Sequence, residues 1–170
     1  MNAREIPVHQ HGSVNIDCSF LTAGKAIFTV SIPSWFTGRK DIRQHYTYCI
    51  RQKVSGTGSP ESNSENSPLF ASLLAGPDNI SDYVYIGVVN RQSGRLHTTT
   101  KSKLTLDQWP VKILDRVLRR VFSGQQQAIE NSGFSVMHCG LCCRCGRVLT
   151  TPESLAAGVG PECARFLNRG

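Results

Sequence analysis

Residues 83–101 read YVYIGVVNRQSGRLHTTTK, and this stretch decides the architecture. Tyr83–Asn90 is a run of β-branched and aromatic residues of strand length. Arg95–Lys101 follows it after RQSG, a connection of hairpin length in which Gly94 can take a positive φ. Strands this close in sequence pair antiparallel, because a parallel pair needs a long crossover. Leu69–Leu74 precedes the hairpin, joined to it by AGPDNISD, whose Gly76, Pro77, Asp78 and Asn79 are all turn formers. Further upstream, His45–Arg51 alternates, with Tyr46, Tyr48 and Ile50 on one face. Ala26–Ile32 sets Phe28, Val30 and Ile32 against Thr29 and Ser31 in the same way. Five strands without intervening helices predict an antiparallel meander.

One helix follows, over Asp107–Ser123. Val111, Leu114, Val117, Leu118 and Val121 recur at i, i+3/i+4 on one face, and Lys112, Arg116, Arg119 and Arg120 hold the other. Pro110 suits a first turn and Gly124 a stop. The expected fold class is therefore α+β: an antiparallel sheet of about five strands covered by one amphipathic helix, with a small C-terminal knuckle. Residues 1–133 form the α+β domain and 134–170 the knuckle module. Met1–Gly24 shows no periodicity and reads as a loose arm. Gly56–Pro68, GTGSPESNSENSP, has no apolar residue and reads as a mobile loop at 56–68.

Within 170 residues there are 19 Lys and Arg against 12 Asp and Glu, a formal charge of +7 and a pI near 9.2. Such a field draws polyanions, nucleic acid foremost. No apolar run approaches the roughly 20 residues that span a bilayer. The N-terminus has no secretory pattern, so a cytoplasmic protein without a membrane partner is expected. In that compartment thiols stay reduced, which excludes a disulfide framework for the seven cysteines.

Cys18 and Cys49 are scattered, whereas Cys139, Cys142, Cys143, Cys145 and Cys163 crowd into the stretch HCGLCCRCGRVLTTPESLAAGVGPECARFL, His138–Leu167. Metal binding explains that crowding. In Cys142-x-x-Cys145-Gly146-Arg147 two intervening residues let both sulfurs reach one ion, and Gly146 permits the knuckle turn. Cys163 follows Gly160-Pro161, which places it in the first turn of a short helix, where the helix dipole favours a thiolate. A structural zinc takes four protein ligands. His138 would supply the fourth with H-x3-C spacing, and Cys139 would supply it through overlapping C-x-x-C pairs. Cys143 sits between two ligands and points away. No zinc-hydrolase or deaminase pattern accompanies the site.

The pattern C-x-x-C-G-R-x-L-T-x-P-E-S-x(3)-G-x-G-P-x-C, Cys142 to Cys163, resembles a domain of unknown function at the C-termini of small bacteriophage-encoded proteins. LFASLLAGPDNISDYVYIGVV and TTTKSKL are similar to a segment upstream of it, and AIFTVSIP and HYTYCI are weakly similar. The resemblance implies a phage genome, hence the cytoplasm of a host cell. Relatives often carry a His a few residues before the first Cys, which favours His138. Cys139 and Cys143 depart from the usual pattern. No activity comes with the resemblance.

The leading functional expectation is nucleic-acid binding, to DNA or RNA, through Lys112, Arg116, Arg119 and Arg120. Lys101 and Lys103 precede these residues, and Arg144, Arg147, Arg165 and Arg169 extend the patch from the knuckle. Tyr46, Tyr48, Tyr83 and Tyr85 offer stacking surfaces or core packing. The alternative is a host-directed factor that binds a protein, such as an inhibitor of a bacterial defence or transcription system. No catalytic signature occurs. Asp78, Asp82, His45 and His97 have no signature spacing, and the turn explains Asp78, so an enzyme is not expected.

Overall fold

In the computed structural model residues 16–36, 44–53 and 67–168 are described. The expected loose arm over residues 1–15 and most of the expected mobile loop, 56–66, lie outside them, as does Arg169. The rest of the first segment is ordered. Helix α1, Cys18–Leu21, is capped by the Asp17 carboxylate, which accepts from the Phe20 amide at 2.8 Å. Ile16, Phe20, Leu21 and Ala23 are buried. Short apolar segments of this kind leave no periodic trace, and burial against the sheet organises them instead.

The strands are β1 (Lys25–Ser31), β2 (His45–Gln52), β3 (Leu69–Leu74), β4 (Tyr83–Val89), β5 (Leu96–His97) and β6 (Ser135–His138). They form one six-stranded antiparallel sheet of order β5-β4-β3-β2-β1-β6. With the helices, this makes the fold α+β. Two details differ from the sequence expectation. The strand expected over Arg95–Lys101 pairs only at Leu96 and His97, since the Ser102 hydroxyl then accepts from the Thr99 amide at 2.7 Å and turns the chain. The sixth strand comes from Ser135–His138, which the sequence division placed with the knuckle. Val136 pairs with Val30 and His138 with Phe28. This strand is only four residues long, too short to show alternation.

Gly94 has φ of 69° and closes the β4–β5 turn, its amide donating to the Asn90 carbonyl at 2.8 Å. A Cβ there would lie 2.6 Å from the Leu118 carbonyl oxygen, so both conformation and space demand glycine. Helix α2, Trp109–Phe122, buries Val111, Ile113, Leu114, Val117, Leu118 and Val121 in the same cluster as Phe28, Tyr48, Ile50 and Ile86. Two polar ties fix it: the Tyr48 hydroxyl donates to the Pro110 carbonyl at 2.7 Å, and the Leu96 amide donates to the Asp115 carboxylate at 3.0 Å. Helix α3, Gln126–Asn131, returns the chain toward β6, and α4 (Pro152–Ala157) and α5 (Pro161–Leu167) complete the C-terminus.

Candidate metal centre and cationic groove

After β6 the chain makes a tight hairpin. Leu141 bridges Val148, the Cys142 amide donates to the Arg147 carbonyl at 2.8 Å, and Leu149 donates to Gly140 at 2.9 Å. At its tip the Gly146 amide donates to the Cys142 carbonyl at 2.8 Å with a φ of 77°, the turn that a Cys-x-x-Cys-Gly sequence needs to bring its sulfurs together. Gly160 and Pro161 then start α5, which carries Cys163 in its first turn. The Sγ atoms of Cys142, Cys145 and Cys163 all lie within 4.8 Å of one another. Cys142 and Cys163 are buried and Cys145 is exposed.

These three cysteines could hold a metal ion, and an all-sulfur donor set suits a thiophilic one. The surroundings act on the two buried sulfurs in opposite directions. Burial opposes ionisation of Cys142, but amide hydrogen bonds from Gly160, Cys145 and Arg144 outweigh it and bring the thiol down to about 7. Cys163 is raised to about 11, by burial first and then by competition from Cys145 and Cys142, while the Arg144 guanidinium pulls the other way. Arg144 donates to Cys163 Sγ at 3.9 Å and lies 4.4 Å over the Phe166 ring, so its charge serves the sulfurs.

Neither sequence candidate for a fourth ligand joins this group. The Nδ1 of His138 accepts from the Gly140 amide at 3.0 Å, and its Nε2 lies 2.5 Å from the Leu155 carbonyl. Both ring nitrogens are therefore held by main chain. Cys139 Sγ sits 3.6 Å from the Thr29 hydroxyl, on the sheet. Cys143 faces the main core. Burial and the neighbouring Cys142 push its thiol up to about 12, and its carbonyl accepts from the Lys25 amide at 2.7 Å, tying the hairpin to β1.

The basic residues fall into two settings. Lys112, Arg116, Arg119 and Arg120 line a groove of about 770 Å³ between α2 and β5, together with Arg95 and His97. Asp115 also lines it, but its carboxylate is engaged by Arg119 at 2.9 Å and by the Leu96 amide. Arg120 donates to the Gln125 side chain. The four cations of α2 are thus not equivalent: Arg119 is neutralised by a partner four residues upstream, a spacing visible in the sequence. The contribution of Arg95 and His97 had no local signal, because the sheet brings them to the helix. Arg147 is exposed on the hairpin.

Tyr46 and Tyr48 are buried and cannot stack on a ligand. Tyr85 packs on Phe70 with ring centroids 6.3 Å apart, and Tyr83 is half-buried. Asp78 accepts from the Ile80 amide and the Ser81 hydroxyl, and Asp82 accepts from the Asp78 amide, so both carboxylates organise their own turn. No helix among the described residues is long and apolar enough to cross a membrane.

A family described as "Family of unknown function (DUF6011)" matches residues 135–167, which run from β6 through α5. No curated protein and no solved structure matches the chain.

Proposed function

We propose that this is a zinc-containing accessory protein, phage-encoded, that binds nucleic acid through the cationic face of α2. The observation that carries the reading is the groove itself, with five Lys and Arg side chains and a single carboxylate that is already engaged. Phosphates neutralised there would release counterions and make binding steeply salt-dependent. The knuckle contributes Arg147, while Arg144 attends the sulfur cluster. Zinc would be held by Cys142, Cys145 and Cys163. With a fourth donor from outside this cysteine group its role would be structural, joining the hairpin tip to α5 and keeping Arg147 in place. The likeness of the C-terminal motif to small bacteriophage proteins supports the phage address.

Gel shifts with DNA and RNA, single- and double-stranded, at two salt concentrations test this. The protein should retain about one zinc per chain and bind with a steep salt slope. Joint replacement of Lys112, Arg116 and Arg120 by Gln should lower that slope by roughly three, about one per phosphate contact. Replacement of Cys142 by Ser should abolish zinc retention. A protein that carries no zinc, or that binds no nucleic acid at low salt, refutes the corresponding half of the reading. The second outcome would favour a host protein as the partner.

A further inference from the structure

Lys112, Arg116 and Arg120 are four residues apart in turn, so they form a single stripe along α2. That stripe is a shared wall. On one side lies the polar groove of about 770 Å³; on the other lies a smaller, mostly apolar pocket of about 110 Å³, and all three cations line both. Three aromatic rings line the smaller pocket, beside Ile113, Val117 and Ile129. Phe36 stands edge-on to Trp109 at 5.4 Å and against Phe134 at 5.5 Å, and Lys112 Nζ lies 4.9 Å over the Trp109 ring. Trp35 adjoins this cluster, edge-on to Phe36 at 5.6 Å, and is 69% exposed.

Trp35 offers an exposed flat ring joined through Phe36 and Trp109 to Lys112, and the cations along that aromatic cluster name the chemistry of what would cover it. A phosphodiester strand laid along the stripe meets positive charge at each helical turn, and its bases are then delivered to the aromatic side. Only an unpaired base has a free face to stack there, because a duplex keeps its bases stacked on one another. We propose that the ligand is single-stranded nucleic acid, with phosphates on Lys112, Arg116 and Arg120 and a base against Trp35, whose ring packs on Phe36 of the aromatic cluster. This rests on the nucleic-acid reading above and adds strandedness and the position of a base.

The full-length protein should be titrated with an oligothymidylate, with an abasic oligonucleotide of equal length, and with a duplex of equal length, following affinity and tryptophan fluorescence. The oligothymidylate should bind at least tenfold more tightly than either other probe and quench the tryptophan emission. Trp35→Ala, at an exposed position that leaves the core intact, should weaken oligothymidylate binding roughly tenfold, the loss of one stacked base, and leave the abasic probe unchanged. Trp35→Phe should restore most of the affinity. Equal, salt-dependent binding of all three probes, indifferent to Trp35→Ala, would overturn this proposal and leave the nucleic-acid reading standing. Binding of none of them would overturn both.

Discussion

The sheet with α2 and the hairpin with α5 differ sharply in how much apolar surface each buries. The first buries a continuous cluster that includes Phe28, Tyr48, Ile50, Leu114 and Leu118 and reaches Cys143 in the hairpin. Among the described residues the second has a cluster of Cys142, Leu149 and Cys163, while Val159 packs against both clusters and Leu167 against the first. Hydrophobic burial stabilises by roughly 25 cal/mol per Å² of apolar surface, and a handful of side chains cannot offset the conformational entropy of about thirty residues. A small unit of that kind needs another source of stability, and three convergent sulfurs could supply it by holding a metal ion. The two regions nevertheless touch. Phe20 stacks on His138 at 6.0 Å, Lys25 donates to Cys143, and β6 belongs to the sheet although its last residues lead directly into the hairpin.

A core substitution should have a large effect on one region and none on the other. Leu118 is fully buried in α2. Leu118→Ala should destabilise the protein by about 2–5 kcal/mol in denaturant unfolding, by loss of transfer energy and by the cavity left behind. The folded variant should keep its full metal content by elemental analysis. Loss of metal in a variant that still folds would mean that the cysteine module depends on the core and that the contrast is wrong.

The adjacent pair Cys142 and Cys143 offers a finer cut, since the two residues belong to different clusters. Cys143→Ala should cost about 1 kcal/mol, the ordinary effect of trimming a buried side chain, and leave zinc in place. Metal loss on this substitution would move Cys143 into the ligand set and redraw the boundary between the regions.

How much of this was legible in the sequence follows the same division. Strands β1 to β4 and helix α2 announce themselves because period-2 and period-3.6 patterns record which face is buried. Gly94 and the Cys-x-x-Cys-Gly-Arg motif are legible because turn geometry and metal geometry demand particular residues at fixed spacing. The sixth strand was not readable. Its four residues, Ser135–His138, owe their conformation to β1, more than a hundred positions upstream. The candidate site divides likewise. Cys142, Cys145 and Cys163 could be picked out by spacing, whereas the setting of His138 depends on where α4 places the Leu155 carbonyl. The pairing of Arg119 with Asp115 was visible at i, i+4, but the joining of α2 to Arg95 and the shared wall between two cavities are products of the tertiary fold.

If burial folds the sheet and a metal ion holds the hairpin with α5, amide hydrogen exchange before and after chelation separates the two regions. Once the metal is removed, amides from Leu141 to Leu167 should lose protection, including the Cys142, Gly146 and Leu149 donors of the hairpin. Amides of β2, β3 and β4 should stay protected, because their ladder lies away from the sulfurs and over the buried cluster. Uniform loss of protection across the sheet and the hairpin together would contradict the account and make the metal part of a single cooperative core. Unchanged protection of the hairpin would contradict it from the other side, since the module would then stand without any ion.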